Sequence, residues 1–455
     1  MFQTEAVICG AGIAGVAAAY FLTRMGLQDL VLVERADPLS LTSDKSTEAY
    51  RNWWPGPDGQ MIAFMNRSIE LLEAIAQASH NRIQLNRRGY LYATAEQAGL
   101  ERLLQSAQTA ERQGAGPLRE HSHMASYRPS LPQGFEAGPD GADLIRHPAL
   151  IRTLFPYLNP QTQAVLHVRR AGWLSAQQLG LYLLEEARAQ GARLWRGEVV
   201  GLETQAGAIH AVVVQRPDGA LQTLKTPLFV SAAGPLQGAI GQMLGLELPV
   251  FAERHLKLSF SEALGVVPRE APMLIWLDEV ALPWSPEEQA LLVEDAATRW
   301  LLQKLPGGAH CRPDGPYDSP ILIGLYNPRL EPVPPVFPLS PDPFYPELTL
   351  RALSCMLPEL RAYFPRLPRA WVDGGYYLKT PENRPLIGPL PVAGAYILGA
   401  LSGFGVMAAC AAGELLAAHV LGRPLPAYAP AFVPGRYQDP AYQQRLAAWG
   451  ETAQL

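Results

Sequence analysis

The feature that most constrains this chain is a glycine-rich turn between a short apolar strand and a helix at its N-terminus. Residues 5–9 predict a buried strand, and glycine follows at positions 10, 12 and 15. Gly10 permits a tight turn, Gly12 lets the backbone approach a ligand closely, and Gly15 lets helix and strand pack together. The helix predicted over residues 14–25 begins with unpaired N–H groups and the positive end of its dipole, which favour an anion.

A second apolar strand, predicted over residues 30–34, completes a βαβ unit and ends in Glu34. A carboxylate at that strand end accepts hydrogen bonds from both hydroxyls of an adenosine ribose and repels a 2′-phosphate. The unit therefore predicts a site for FAD or NAD, with the pyrophosphate at the helix N-terminus, and disfavours NADP.

The other end of the chain carries a second turn of the same kind. The sequence GALSGFG at 399–405 leads into a helix predicted over 406–421 that is rich in alanine and glycine. A reduced, anionic flavin carries charge that such a helix N-terminus stabilises. Two such helix starts in one chain favour FAD over NAD, although a close-packed core helix at 406–421 remains an alternative.

Length and composition limit the possible classes of protein. A chain of 455 residues requires at least two folding units. A net charge of −5, with no basic run interleaved with aromatics, excludes a nucleic-acid surface. The four cysteines are far apart and form no CxxC pair, which predicts core thiols, no metal site and a cytoplasmic protein. No apolar stretch is long enough to predict a membrane span.

The predicted fold class is α/β. It comprises a Rossmann-like FAD-binding domain of the glutathione-reductase type, built from discontinuous segments, and an α+β substrate domain with a mixed or antiparallel sheet. The predicted cofactor-domain segments are 1–88, 166–250 and 371–422, the substrate-domain segments are 89–165 and 251–370, and a tail covers 423–455. Residues 114–160 predict an irregular excursion, and the proline-dense stretch 331–346 predicts a surface loop.

Both ends of the sequence resemble the flavoproteins grouped around D-amino acid oxidase, sarcosine oxidase and dimethylglycine dehydrogenase. In that family a TP-x-x-x-P-x-I-G turn precedes the flavin-binding helix, and the corresponding residues here are Thr380, Pro381, Pro385, Ile387 and Gly388. The segment from GWLSAQQLGLYLLEEARAQ to GEVVGLE is similar to the middle FAD segment of the family. The resemblance covers roughly residues 1–70, 172–260 and 370–425.

The glycine turn and the resemblance together imply a set of cofactor-binding residues, with Val199 at the adenine and the strand end SAAG at 231–234 beneath the cofactor. The full set is Gly10, Gly12, Ile13, Ala14, Gly15, Glu34, Arg35, Ser43, Lys45, Ser46, Thr47, Val199, Ala232, Ala233, Gly234, Gly388, Gly403, Phe404, Gly405, Val406 and Met407. Members that attach flavin through a cysteine carry it just before the TP turn. This chain has Gly-Tyr-Tyr there, which implies non-covalent FAD.

The resemblance also implies substrate-site residues. Arg51 falls where relatives place an arginine for the substrate carboxylate, and its guanidinium suits bidentate recognition. A structural ion pair is the alternative interpretation of Arg51. Tyr376, Tyr377 and Lys379 directly precede the turn, and a strand would send Tyr377 and Lys379 to one face. The further candidates are Tyr50, Phe404, Trp53 and Trp54, and no chemistry is assigned to the histidines.

Two departures from the family pattern bear on the reaction. Lysines of sarcosine oxidases align with Met407 and Leu322 here, which argues against a simple N-methyl amino acid as substrate and against oxygen as acceptor. The resemblance implies hydride transfer to FAD from a C–N bond of a small amine or amino acid, with oxygen, a quinone or a protein as acceptor. The alternatives are a hydroxy-acid or glycerol phosphate dehydrogenase and a flavoprotein subunit acting through a partner. A homo-oligomer is compatible with each.

Overall fold

The computed structural model describes residues 2–54, 56–315, 319–447 and 449. Within these residues the helices are α1 (Ile13–Arg24), α2 (Gln60–Ala78), α3 (Gln97–Arg112), α4 (Pro148–Leu154), α5 (Ala176–Ala189), α6 (Gln237–Met243), α7 (Pro286–Glu294), α8 (Tyr345–Met356), α9 (Gly405–Val420) and α10 (Pro440–Ala447). Helices α1 and α9 coincide to within one residue at each end with the helices predicted over residues 14–25 and 406–421.

The strands build three larger sheets and two two-stranded ribbons. The strands of the first half are β1 (Phe2–Gln3), β2 (Ala6–Cys9), β3 (Leu30–Glu34), β4 (Ala49–Arg51), β5 (Tyr90–Thr94), β6 (Leu118–His121), β7 (Ala142–Ile145), β8 (Ala164–Val168), β9 (Ala171–Trp173), β10 (Arg193–Arg196), β11 (Glu198–Gln205) and β12 (Ala208–Gln215). The remaining strands are β13 (Leu221–Lys225), β14 (Phe229–Ser231), β15 (Phe251–Ser261), β16 (Met273–Trp276), β17 (Val280–Ala281), β18 (Lys304–Leu305), β19 (His310–Pro313), β20 (Ile321–Leu325), β21 (Ala370–Lys379), β22 (Leu386–Pro389) and β23 (Ala395–Gly399).

A six-stranded sheet in the order β10-β3-β2-β14-β23-β22 forms the cofactor domain, and its first five strands are parallel. The central strands are short apolar runs because both of their faces are buried. Helices α1, α5 and α9 pack together on one face. Residue 413 of α9 is glycine because a side chain there would lie 2.8 Å from the Ala17 carbonyl oxygen. The predicted discontinuous, Rossmann-like domain is confirmed.

A nine-stranded sheet in the order β21-β15-β20-β19-β16-β5-β8-β7-β6 forms the substrate domain. The β16–β5 and β6–β7 pairs are parallel and the other pairs are antiparallel, so the predicted mixed sheet is confirmed. The apolar side chains of one face pack against α8. The opposite face, which carries Tyr377, His255 and Arg312, meets the loop after β3.

The prediction of an irregular excursion over residues 114–160 is wrong, because this segment contains β6, β7 and α4. Strands β6 and β7 are short, and several of their positions carry charged side chains that form a buried network. The sequence therefore lacks the alternation of apolar and polar residues that is typical of a strand. The Asp143 carboxylate lies 2.6 Å from the Arg119 guanidinium, 3.0 Å from His121 Nε2 and 3.1 Å from Arg169. Buried charges that satisfy one another replace the apolar pattern from which strands are predicted.

The prediction of a tail over the surface for 423–455 also needs correction. Phe432 and Tyr442 are buried, and the Phe432 carbonyl accepts a hydrogen bond from the Ile387 N–H at the start of the β22–β23 hairpin. Residues 448 and 450–455 lie outside the described residues. The 331–346 stretch is largely exposed, as predicted, although it also contacts the channel wall described below.

The domain boundaries drawn from the sequence remain predictions. Two strands lie across them, since β8 ends at Val168 and β21 begins at Ala370, and both belong to the nine-stranded sheet. Among the described residues, no helix is both long and apolar enough to cross a membrane. The thiols of Cys9 and Cys410 are buried, as predicted, and burial raises the pKa of each to about 12.

Candidate active site

An elongated channel runs between the two sheets. Its main chamber of about 860 Å³ lies between the β2–α1 turn, the loop after β3, strand β21 and the turn before α9. A second chamber of about 610 Å³ shares Gly10, Glu34, Leu41 and Ala233 with the first, so the two are continuous. Both volumes include the solvent space where the channel opens to the surface.

Two glycines shape the N-terminal turn of the channel as the motif predicts. Gly10 has a φ of +102°, and a side chain there would lie 2.5 Å from the Ala232 carbonyl oxygen. A side chain at Gly15 would lie 1.8 Å from the Gly10 carbonyl oxygen. The first glycine therefore permits the turn and the close approach of β14, and the second permits the contact between helix and strand.

The polar groups of this turn are oriented toward the channel. The Glu34 carboxylate accepts 2.8 Å hydrogen bonds from the backbone N–H groups of Ala11 and Ala36, one on each oxygen. Each carboxylate oxygen keeps capacity for a second bond, which suits a ribose diol. At the start of α1 the Ile13 N–H donates to Ser43 Oγ at 3.0 Å. This contact brings the loop after β3 against the N-terminus of α1.

The second helix start closes the other end of the channel. The Ser402 N–H, in the turn before α9, donates to the Leu378 carbonyl of β21 at 2.9 Å. Ser402 Oγ is buried and has no hydrogen-bond partner in the described part of the chain. A hydroxyl without a partner that lines a channel fits a polar ring edge placed there. The glycine turn, Glu34 and Ser402 thus fit an elongated flavin dinucleotide.

Most predicted cofactor residues line this channel. Those in the main chamber are Gly10, Gly12, Ile13, Ala14, Glu34, Ser43, Ser46, Ala232, Ala233, Gly234, Gly403, Gly405 and Val406. Arg35 and Val199 line the second chamber. The separate sequence segments named from the motif and the resemblance therefore meet around one cavity.

The remaining predicted cofactor residues lie near the channel without lining it. Lys45 is paired with Asp373 at 2.8 Å and with Asp44 at 3.1 Å. The Thr47 carbonyl accepts a 2.6 Å hydrogen bond from buried Arg312. The others that line neither chamber are Gly15, Gly388, Phe404 and Met407.

Other lining residues were not predicted. They are Asp37, Leu39, Ser40, Leu41, Thr42, Pro235, Leu378, Leu398, Gly399, Ala400, Leu401 and Ser402. Buried Gln237 was also missed: its amide donates to the carbonyls of Ser231 and Leu398 and so links β14 to β23. Residues 399–402 belong to the GALSGFG turn, although the prediction did not name them as cofactor residues. The others form no motif, because they contribute backbone or depend on strand pairing.

Arg51 is buried in β4 beside two aromatic rings. Its guanidinium lies 4.6 Å from the Trp54 ring centre and 5.5 Å from that of Tyr90, and its Nε donates to the Trp53 carbonyl at 3.0 Å. The Trp54 ring packs edge-on against Phe404, the residue before α9, at 5.0 Å. One aromatic ring therefore separates Arg51 from the helix start that closes the channel.

The other candidates lie on β21. Tyr376 and Tyr377 both line the main chamber, from opposite faces of the strand. Tyr376 donates to the Val336 carbonyl at 3.0 Å and packs on Phe337, both in the proline-dense stretch. Lys379 shares the Tyr377 face, as predicted, but its ammonium pairs with Glu253 at 3.1 Å instead of lining the channel.

Two histidines contribute to this region although the sequence provides no signal for them. The His255 ring stacks on Tyr377 with centroids 4.1 Å apart, and its Nε2 lies 3.2 Å from Glu253. Burial lowers the pKa of His255, and it lowers the pKa of His310, on the same sheet face, to about 4. Both imidazoles are therefore neutral near pH 7. Tyr50 instead donates to the Asn86 carbonyl within the core.

The two sheets and the channel between them define the class of two-domain flavoproteins. The sequence model of the FAD dependent oxidoreductase family matches residues 5–419, so the chain belongs to that family. Human mitochondrial dimethylglycine dehydrogenase is 24% identical over 276 residues, which are 60% of this chain and 28% of that protein. Human mitochondrial sarcosine dehydrogenase is 24% identical over 55% of this chain and 24% of its own length. The match thus spans about a quarter of these relatives.

Solved structures share the fold over nearly the whole chain. L-proline dehydrogenase from P. horikoshii has a TM-score of 0.71 at 20% identity, covering 96% of this chain and 98% of its own. Glycine oxidase from Geobacillus kaustophilus has a TM-score of 0.71 at 15% identity, and the match covers 95% of this chain and 98% of that protein. Iminodiacetate oxidase from Chelativorans has a TM-score of 0.69 at 17% identity, covering 94% and 99%. The predicted family and fold class are confirmed.

Proposed function

We propose that this protein oxidises a C–N bond of a small amine or amino acid with FAD bound non-covalently in the channel. The observation that carries the proposal is the position of buried Arg51. Its guanidinium contacts the Trp54 ring, and that ring packs against Phe404 at the N-terminus of α9. A guanidinium in that position binds a carboxylate and fixes the adjacent C–N bond relative to the cofactor. The names of the relatives, which include glycine and proline enzymes, are compatible with this substrate class.

The chain's own residues would bind and orient the substrate, because FAD supplies the hydride acceptor when bound. Trp54 and Tyr90 flank the Arg51 guanidinium and exclude water from it, which strengthens its interaction with an anion. His310 is neutral near pH 7 and adds no charge to compete with Arg51. These surroundings of the Arg51 guanidinium favour a substrate with one carboxylate and a neutral amine.

Two observations support non-covalent FAD. The positions before the TP turn are Gly375, Tyr376 and Tyr377, none of which is cysteine. Cys9 borders the second chamber, at the adenine end, and burial raises the pKa of its thiol to about 12, so it is unreactive. We expect acid or heat denaturation to release all of the flavin into the supernatant. Flavin that remained with the precipitated protein would contradict this.

Two positions support an acceptor other than oxygen. Buried Met407 and Leu322 stand where sarcosine oxidases carry lysines, and Leu322 packs with the apolar face against α8. Its neighbour on the opposite face, Ile323, is also apolar. No lysine of β20 is therefore available near the flavin. We propose that electrons pass to a quinone or a protein.

Replacement of Arg51 by lysine tests the carboxylate site. Lysine keeps the charge but loses the bidentate fork and the stacking on Trp54. We expect kcat/KM for an amino acid substrate to fall about 10- to 100-fold, which corresponds to roughly 1–3 kcal/mol. The kcat/KM for the matched amine without a carboxylate should change little.

The ratio of the two kcat/KM values is the deciding measurement, since a general defect lowers both equally. Arg146→Lys, at an exposed pair with Glu120, is the matched control. An unchanged ratio in Arg51→Lys would remove Arg51 from the substrate site.

A further inference from the structure

A chain of polar contacts runs from the channel wall into the substrate domain on one face of β15 and β21. Tyr377 stacks on His255, His255 lies 3.2 Å from Glu253 Oε2, and the same oxygen lies 3.1 Å from Lys379 Nζ. The side chains of Glu253 and Lys379 are only 10% and 13% exposed. An ion pair this deeply buried is weakly screened by solvent.

The contacts and the burial of these side chains indicate which of them are charged. Burial disfavours the ionised form of Glu253, but the His255 hydrogen bond and the Lys379 charge outweigh it and lower the pKa of the carboxyl. His255 is neutral because burial lowers its pKa. Glu253 is therefore ionised, and its negative charge lies opposite the ammonium group of Lys379.

The pair lies close to the part of the channel that α9 closes. Tyr377 is 2% exposed and lines the main chamber. The next residue, Leu378, accepts the hydrogen bond from the Ser402 N–H in the turn before α9. Strand β21 thus places the pair within a few residues of the turn that would contact the flavin ring.

We propose that Glu253 and Lys379 form a balanced charge pair, so that neither charge alone shifts the reduction potential of the flavin. This inference rests on the proposed FAD site. Two-electron reduction makes the cofactor more negative, so an unbalanced positive charge nearby stabilises the reduced form and an unbalanced negative charge stabilises the oxidised form. The pair keeps both effects close to zero while Glu253 anchors His255 against Tyr377.

The test measures the midpoint potential of the FAD-loaded protein by spectroelectrochemistry. Glu253→Gln leaves Lys379 unbalanced and should raise the potential, whereas Lys379→Met leaves Glu253 unbalanced and should lower it. The double variant should return to within error of the natural protein. The exposed pair Glu279 and Lys304, 3.7 Å apart, supplies controls, since Glu279→Gln and Lys304→Met should leave the potential unchanged.

Opposite signs separate charge balance from structural damage, because damage has no reason to shift the potential up in one variant and down in the other. Shifts of the same sign, or no shift with FAD bound stoichiometrically, would overturn the inference and leave the FAD site intact. A natural protein that binds no FAD would refute the site itself. If Glu253→Gln does not fold, Lys379→Gln alone still tests the inference, which requires this variant to have a lower midpoint potential than the natural protein.

Discussion

Replacement of Gly15 by alanine is expected to weaken FAD binding about 10- to 100-fold. The added methyl carbon would lie 1.8 Å from the Gly10 carbonyl oxygen, far inside van der Waals contact. Helix α1 must then move away from β2, which takes its N–H groups out of reach of the diphosphate. Overpacking of this kind costs about 1–3 kcal/mol, and the measurement is the dissociation constant of FAD from the reconstituted apoprotein.

Gly238→Ala is the matched control. Gly238 lies in α6, and a side chain there would meet no atom within 4 Å. The same substitution at this helical position should leave FAD affinity unchanged and raise helix stability slightly. Equal FAD affinity in Gly15→Ala and Gly238→Ala would contradict the glycine turn as the diphosphate site.

The second large effect concerns stability, at Arg436. Its guanidinium lies 2.8 Å from the Glu382 carboxylate, and the two side chains are 2% and 0% exposed. The hydroxyls of Tyr437 and Tyr442 also donate to Glu382, at 2.8 and 2.7 Å. Arg436→Met leaves a buried carboxylate without its counter-charge, which costs about 3–5 kcal/mol of the free energy of unfolding. Guanidinium denaturation of the apoprotein measures this loss.

The pH dependence identifies the cause. Burial opposes ionisation of Glu382, but Arg436 and the tyrosine hydroxyls outweigh it and lower the pKa. The pKa of Glu382 is therefore lower in the folded protein than in the unfolded chain. The resulting stabilisation is present at pH values above the ordinary glutamate pKa, and it is lost as the pH falls through the pKa of the folded state. In Arg436→Met the carboxyl instead gains a proton readily, so the deficit should narrow toward about pH 4.

Arg423→Met, at an exposed arginine of the same C-terminal segment, is the control and should cost little. A deficit in Arg436→Met that stays constant with pH would mean that lost packing, not an uncompensated Glu382 charge, explains the effect.

The parts of the fold that the sequence predicts are those with local signals. The Gly10 to Glu34 unit and the turn before α9 combine a short apolar run, a glycine and a helix start within a few residues, and each folds as expected. The parts that it does not predict depend on partners distant in the chain. His255 meets Tyr377 only because β15 pairs with β21, more than a hundred residues away.

The wrong predictions share one physical cause. In β6 and β7, and in the C-terminal segment, charged side chains are buried because they satisfy one another. Asp143 and Arg436 carry the hydropathy of surface residues, so periodicity alone assigns them to solvent. Composition records the charge of a side chain but not whether a partner stands beside it.

Anaerobic titration of the purified protein tests the central claim most directly. We expect a yellow protein whose flavin absorbance is lost when a secondary amine or amino acid is added without oxygen, and slow recovery of the colour in air. Hydroxy acids and glycerol phosphate should leave the spectrum unchanged. Bleaching by these alcohols alone, or by no compound in the panel, would contradict oxidation of a C–N bond.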